Sequence, residues 1–507
     1  MQKRIKFGSI LLLFWALACQ PSPETTPPPN ILFMMADDHT SQAFGIYGHF
    51  LDSIGLTSNI RQLAREGVRL DGLYCTNSIC VPSRASILTG QYSHVNQVYT
   101  LSDSLATDRR HLGHLMQDAG YQTALIGKWH LRSQPQGFDF FRVLPGQGRY
   151  QNPILKSIGQ EWKAPGDTFP GYSADVIGAE SLRWLEQRDP QKPFMLLTHF
   201  KAVHEPFDYP ARYAELYEGF EFPLPESFWE DLSHRSPATQ QEGMFIRIQL
   251  QRYLNTPERY PPPALDVTGM SEKEQVEAAY QKMMRDYMRG VAALNDNIGR
   301  LLAWLEENDL ADNTIVVYTS DQGYFLGEHG YKDKRLIYEE SARMPAVIRY
   351  PGKLQANTYN QDLLLNSDIA PTLLDWAGVP IPEHMQGRSF AAVLAGQRPD
   401  DWRTSFYYRY WLQGNRPAHL GMRNERFKLI YFYSLPLDMT GTGNATAPGW
   451  ELYDLEKDPQ ELHNVYQDPA YQALIPGLKA ELDSLQQAAG DDPSRYPAVQ
   501  SLRESLP

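Results

Sequence analysis

The chain alternates short, continuous apolar runs with longer stretches in which apolar residues recur every three or four positions. Runs of the first kind stand at 31–35 (ILFMM), 123–126 (TALI), 194–198 (FMLLT) and 314–319 (TIVVYT). They are unbroken rather than alternating, which predicts strands buried on both faces. The stretch 271–308 is of the second kind, with Val276, Tyr280, Met283, Tyr287, Val291, Leu294, Ile298, Leu301 and Leu305 in one stripe that reads as core packing. Ser271 followed three residues later by Glu274 predicts a capping box at its start. Helices are also predicted at 59–66 and 368–377, each followed by a glycine at the expected stop, Gly67 and Gly378. Strands that alternate with helices predict an α/β fold, a mostly parallel sheet flanked by helices.

Past residue 394 the pattern changes. Segments 407–411, 427–432 and 451–454 predict short strands and 470–487 a helix, so 395–507 is expected to form a smaller C-terminal α+β subdomain beside a main domain at 31–394. Between 207 and 268 the text is rich in proline and aromatics without periodicity; a long irregular stretch of this kind is a candidate for shaping a substrate site. At the other end, Lys3, Arg4 and Lys6 precede an apolar run at 10–18 that is too short to span a bilayer and stops before Cys19. This predicts a signal peptide at 1–18 and an exported protein. The following PSPETTPPPN suits neither helix nor sheet interior, making 19–30 a Pro-rich tether.

Composition narrows the function. Hydrophobic residues make up 42% and charged residues 21%, enough for a large globular core. With 47 basic against 60 acidic residues the formal charge is −13, which argues against nucleic-acid binding. An anionic substrate would have to be drawn by cations or metal concentrated in a cleft, because the field of the whole molecule repels it. Apart from Cys19 the cysteines are Cys75 and Cys80. They could form a disulfide in an exported protein, but so short a loop would add little stability, and the setting of Cys80 points elsewhere.

Each buried run is followed by polar groups: Asp37 and Asp38 after the first, Lys128 and His130 after the second, His199 and His204 after the third, Asp321 and Gln322 after the fourth. Ligands bind beyond the carboxyl ends of strands in open α/β sheets, so these groups are expected to gather at one edge. Asp37 and Asp38 suit a hard cation such as calcium or magnesium, although adjacent acids after a strand also cap helices. In Cys80-Val81-Pro82-Ser83-Arg84 the proline sits where a first helical residue belongs. Cys80 then lies at a helix N-terminus that favours an anion and a lowered thiol pKa. His199 and His329 read as packing residues.

This text resembles the formylglycine-dependent sulfatases of the alkaline phosphatase superfamily, whose modification motif is Cys-x-Pro-x-Arg with a downstream Thr-Gly, here Cys80 to Arg84 with Thr89-Gly90. The resemblance implies that a formylglycine-generating or anaerobic sulfatase-maturating enzyme oxidises Cys80 to formylglycine. It implies a calcium site, with magnesium the second choice, formed by Asp37, Asp38, Asp321 and Gln322 beside Cys80; many relatives carry Asn where Gln322 stands. Lys128 and His130, in Gly127-Lys128-Trp129-His130, match the family's contacts to sulfate and aldehyde hydrate. His204, in His204-Glu205-Pro206, matches the element that protonates the leaving oxygen. Arg84 and Lys334 complete the cationic set, with Lys332 as the competing register for the last lysine, and His94 and His419 are candidates for sugar contact.

The implied fold is alkaline-phosphatase-like, and the text from Trp450 to Leu455 looks like the family's terminal antiparallel sheet. The implied activity is hydrolysis of sulfate esters of carbohydrate, in algal polysaccharide or glycosaminoglycan, including sulfated N-acetylglucosamine, with 407–426 shaping the pocket. Ala16-Leu17-Ala18-Cys19 resembles a bacterial lipoprotein cleavage site, which implies a lipid anchor at Cys19 and a periplasmic, outer-membrane or cell-surface location; plain secretion is the other reading. Two rival functions share much of this text: a phosphate or phosphonate ester hydrolase of the same superfamily, and a non-catalytic glycan-binding lipoprotein in which Cys80 stays a thiol.

Overall fold

The computed structural model describes residues 27–240, 242–414, 416–437 and 445–506. The expected signal peptide and Cys19 lie outside them. Among the described residues no helix is long and apolar enough to cross a membrane.

A ten-stranded sheet organises the larger part of the molecule. In chain order its strands are β1 (Asn30–Ala36), β2 (Val68–Leu70), β3 (Gln122–Lys128), β4 (Phe140–Leu144), β5 (Ile154–Ser157), β6 (Asp167–Thr168), β7 (Phe194–His199), β8 (Thr314–Ser320), β9 (Ala346–Arg349) and β10 (Thr358–Asn360). Their order across the sheet is β10-β2-β9-β8-β1-β7-β3-β4-β5-β6. The four apolar runs singled out from sequence are thus four adjacent central strands, β8-β1-β7-β3, all parallel. Continuous apolarity follows from that position: Leu32 and Met34 face one core and Ile31, Phe33 and Met35 the other, with helices over both. Because the four strands run the same way, the residues after each meet at a single edge.

Helices α1 (Ser58–Glu66), α2 (Cys80–Thr89), α3 (Ser173–Gln187), α4 (Ile246–Asn255), α5 (Glu272–Glu307), α6 (Ile369–Trp376) and α7 (Ile475–Ala488) pack around this sheet and its C-terminal neighbour. The predicted capping box is present at α5, where Ser271 accepts from the Glu274 backbone and the Glu274 carboxylate accepts from the Ser271 N–H at 2.7 Å. All nine stripe residues of α5 are buried. Gly378 adopts φ +70°, the left-handed stop expected after α6. Gly67 does not: its φ is −138°, and glycine is required there because a Cβ would lie 2.4 Å from the Ile348 carbonyl oxygen of β9.

Four antiparallel strands, β11 (Ser405–Tyr410), β12 (His419–Asn424), β13 (Phe427–Phe432) and β14 (Gly449–Asp454), form a second sheet against which α7 packs. Strand β12 was not foreseen, since His419-Leu-Gly-Met-Arg-Asn lacks a strand-like alternation. α7 starts five residues later than the predicted 470. The other face of this sheet shares a core with the main body, in which Phe406, Tyr408 and Ile430 meet Tyr74, Ile79 and Phe325. The irregular stretch 207–268 contains α4 and several short 3-10 turns, and it packs along α5.

Removing the cap at Ser271 should be felt across the molecule, because α5 supplies one wall of the core. Ser271→Ala is expected to cost about 1 kcal/mol of stability, read as a lower urea midpoint with unchanged slope.

Candidate active site

Backbone hydrogen bonds lash the ends of the central strands together. The Asp321 N–H donates to the Ala36 carbonyl at 3.3 Å, the Asp37 N–H to the Ala202 carbonyl at 3.0 Å, and the Val203 N–H to the Asp37 carbonyl at 2.8 Å. Asp37 and Asp38 leave β1, Asp321 and Gln322 leave β8, and His204 follows β7, so five of the expected residues are gathered by sheet connectivity alone. Tyr287, from the α5 stripe read as pure packing, donates to the Asp38 carbonyl at 2.7 Å. Asp38 and His130 hold φ of +65° and +60°, a left-handed backbone rare for residues other than glycine and concentrated at functional sites.

Cys80 is the first residue of α2, its side chain buried. Pro82 is the third helical residue rather than the first, still within the turn whose N–H groups have no helical acceptor. One ligand atom each from Asp37, Cys80 and Asp321 lie within 4.8 Å of one another. Cys75 and Cys80 are both free; Cys75 donates to the Ala342 carbonyl at 3.2 Å. The expectation of a lowered Cys80 pKa is overturned. Burial pushes the thiol up, and the nearby Lys334 and Lys128 do not offset burial plus the carboxylates of Asp37 and Asp321. The helix terminus alone does not make this thiol a nucleophile.

Arg84, one turn along α2, donates from Nε to Asp321 Oδ2 at 2.9 Å and from Nη1 to the Lys128 carbonyl at 2.8 Å. Lys128 pairs with Asp37 and donates to Gln147 Oε1 at 2.7 Å. Lys334 pairs with Asp38, reaching Oδ2 at 2.6 Å, whereas Lys332 donates to Glu205 Oε2 at 2.9 Å and to Gln249. Geometry therefore separates the two lysine registers: Lys334 is in the acidic cluster and Lys332 is one residue behind His204. His204 Nε2 stands 3.8 Å from Asp38 Oδ2, and its Nδ1 is 2.6 Å from the Glu205 carbonyl oxygen. His130 sits beside Lys128 with its Nδ1 unpartnered.

The electrostatics follow from these contacts. Burial tends to raise the Asp37 carboxyl, but Lys128, His204, Arg84 and Lys334 outweigh it and hold it well below the usual range. Asp38 is pushed up to about 7 by burial, with Asp37 and Asp321 adding to the rise and Lys334 opposing it. Burial and the Lys128 charge pull His130 down to about 2, so it is neutral and able to accept a proton.

The donor set fits a hard cation. Asp37 Oδ1 and Gln322 Oε1 are buried oxygens without a hydrogen-bond partner, and unpaired buried oxygens at a cluster of acids are what such an ion satisfies. Asp38 adjoins them, accepting from Gln322 Nε2 at 2.5 Å and donating its N–H to Asp321 Oδ1 at 3.3 Å.

His94 and His419 do not join this cluster. Against the expectation of sugar contact, His94 Nε2 lies 2.7 Å from the Ala489 carbonyl oxygen, and His419 is buried against Tyr408 with Nδ1 2.8 Å from the Pro417 carbonyl oxygen. His199 packs edge-on against Phe33, and His329 pairs with Glu230, the packing settings expected for both. Sequence reasoning missed Gln147, Tyr287 and Lys201. None carries a motif, and each reaches the site through a loop or helix face whose position depends on the fold. The 207–268 stretch does reach the site: Arg252 and Tyr260 both bond to the Glu205 carboxylate next to His204.

A parallel sheet whose strand ends bring acids, lysines and imidazoles around a cysteine at a helix N-terminus defines a hydrolase of anionic esters. A family model described as Sulfatase matches residues 29–379, and one described as N-sulphoglucosamine sulphohydrolase, C-terminal, matches 327–488. The N-acetylglucosamine-6-O-sulfatase of Bacteroides thetaiotaomicron is 37% identical over 526 aligned positions, covering 96% of this chain and 91% of that protein. A solved structure in complex with D-glucosamine-2-N,6-O-disulfate superposes with a TM-score of 0.83 at 36% identity, covering 93% of this chain and all of that one. A phosphonate monoester hydrolase from Silicibacter pomeroyi shares the fold, with a TM-score of 0.68 at 23% identity. The chain belongs to the sulfatase family and is a sulfuric ester hydrolase.

Binding of a hard cation at this cluster should depend on pH through Asp38. Its folded-state pKa of about 7 lies above that of an ordinary aspartate, so metal-free protein loses stability as pH rises from about 4 to 7 and this buried acid ionises. A cation must displace that proton, so the rise in Tm produced by calcium should grow from pH 5 to 8 and be smaller in Asp38→Asn. A shift largest at pH 5 would contradict this account.

Proposed function

We propose that this sulfatase removes the 6-O-sulfate of N-acetylglucosamine or glucosamine units in sulfated glycans, with Cys80 matured to formylglycine and calcium bound by Asp37, Asp38, Asp321 and Gln322. The carrying observation is the 37% identity, across 96% of the chain, to an enzyme named for that activity, joined to the acidic and cationic cluster around residue 80. Formylglycine would supply the hydroxyl nucleophile, and calcium positive charge against the sulfate oxygens.

The chain's own residues do the rest. Arg84, Lys128 and Lys334 oppose the negative charge that builds on the sulfuryl oxygens in the transition state. The Nδ1–H of His204 donates to the Glu205 carbonyl, which leaves Nε2 as the nitrogen that carries a proton to the departing sugar oxygen. Burial, together with Lys334, Lys128 and Lys201, keeps the free His204 well below its ordinary pKa. The charge of an arriving sulfate offsets those cations and lets this nitrogen take up its proton. His130 accepts a proton from the hydroxyl borne by residue 80 through its free Nδ1. Beside Lys334, Arg335 and Arg416 both pair with Asp333; this partly exposed group can hydrogen-bond sugar hydroxyls, and Arg416 brings the 407–426 segment to the site. The N-terminal text supports export with a lipid anchor at Cys19, and the Cys80 motif supports a maturating enzyme as partner.

Sulfate release from N-acetylglucosamine-6-sulfate should exceed that from 2-O-, 3-O- and 4-O-sulfated sugars and disappear with chelator. Cys80→Ala should be inactive, and Lys334→Ala should lower kcat/KM roughly hundredfold, more than Lys332→Ala. Equal turnover of phosphate esters, or preference for another sulfate position, would displace the reading.

A further inference from the structure

Lys201 lies in the segment between β7 and His204, and only 2% of it is exposed. Its ammonium stands 4.6 Å from the centroid of the Tyr150 ring and makes no ion pair or hydrogen bond among the described residues. Every other lysine or arginine of the cluster has a carboxylate: Arg84 has Asp321, Lys128 has Asp37 and Lys334 has Asp38. An ammonium on so deeply covered a side chain is costly without a paired counter-charge, and one aromatic face offsets only part of that cost. The Lys201 carbonyl accepts from the His204 N–H at 3.2 Å and the carbonyl of the next residue, Ala202, accepts from the Asp37 N–H at 3.0 Å, which places Lys201 on the border of the cluster. Burial and Lys128 together pull it down to about 8, consistent with a cation lacking its anion. Tyr150 is fixed independently, stacked on Tyr172 and donating to the His204 carbonyl at 2.6 Å, so the lysine is not needed to hold the ring.

We infer that Lys201 is a further sulfate-binding residue, its unpaired ammonium completed by an oxygen of the substrate's sulfate group. The inference rests on the sulfatase reading and assigns the fourth cation of the site, beyond Arg84, Lys128 and Lys334. Even with Asp37, Asp38 and Asp321 all ionised, the four cations leave one positive charge for an anion to match, before any metal is counted. The lysine is thus destabilising in the free protein and stabilising once an anion arrives, which separates it from a structural residue.

Inorganic sulfate is the probe, titrated by calorimetry into the calcium-loaded full chain, with Tm measured in sulfate-free buffer. Lys201→Met, which keeps the stem over Tyr150, should weaken sulfate binding roughly ten- to hundredfold while leaving Tm equal to or above that of the unaltered protein. Lys201→Arg should retain more affinity than Lys201→Met. Unchanged sulfate affinity in Lys201→Met, a lower Tm in sulfate-free buffer, or an arginine variant no better than the methionine one would overturn the assignment. Sulfate release by the unaltered enzyme from N-acetylglucosamine-6-sulfate tests the catalytic reading separately, so either can fail without the other.

Discussion

Three carboxylates buried at the ends of two adjacent strands dictate what surrounds them. Asp37, Asp38 and Asp321 have almost no solvent contact, and a buried carboxylate without compensation would take up a proton or unfold its surroundings. Compensation comes from three separate places: Arg84 on α2, Lys128 at the end of β3 and Lys334 after the short ribbon of Phe325–Leu326 and Lys332–Asp333. Each ties its own segment to the strand edge. The charge balance that prepares the site for an anion thus also fixes the positions of these three segments against the sheet.

Around that centre, neutral and charged contacts from remote segments set the angle of approach. Tyr408 of β11 accepts from the Ser78 N–H at 3.0 Å and donates to the Arg335 carbonyl, so one hydroxyl of the C-terminal sheet holds both the start of α2 and the loop that carries Lys334. Glu205 gathers Lys332, Arg252 and Tyr260 behind His204, joining the 207–268 stretch to the same edge. These contacts are buried or partly buried and paired, and such networks specify one arrangement of the groups they join. The acidic molecule as a whole repels sulfated glycan, yet the enclosed cations make this strand edge locally attractive.

The proposed metal, modified cysteine and substrate would thus meet at a place the fold has already polarised. Asp37 Oδ1 and Gln322 Oε1 lack protein partners, whereas Asp38 and Asp321 are held by the protein, a division that orients the acids before an ion arrives. Burial raises Asp38, the surrounding cations hold Asp37 down against burial, and burial keeps His130 neutral beside Lys128. Environments that drive adjacent titratable groups apart are how one site supplies both a charged clamp and a neutral base.

The apolar runs at β1, β3, β7 and β8 were legible because strands buried on both faces favour apolar or β-branched residues at every position. Parallel packing of those strands made the meeting of Asp37, Lys128, His204 and Asp321 a consequence of pattern alone. The capping box of α5 was equally local, since Ser271 and Glu274 act within one turn. What the text could not decide depends on the environment. Cys80 stands at a helix start as expected, but its pKa rises because burial outweighs the helix terminus. Lys332 and Lys334 are indistinguishable as letters, and the ribbon's geometry sends one to Glu205 and the other to Asp38. Gln147, Tyr287 and Lys201 carry no local signal, and Gly67 is glycine because of the close approach of β9, contacts that exist only once distant segments have packed. Periodicity is a property of neighbours along the chain; desolvation and charge pairing are properties of neighbours in space, so the first can be read from sequence and the second awaits the fold.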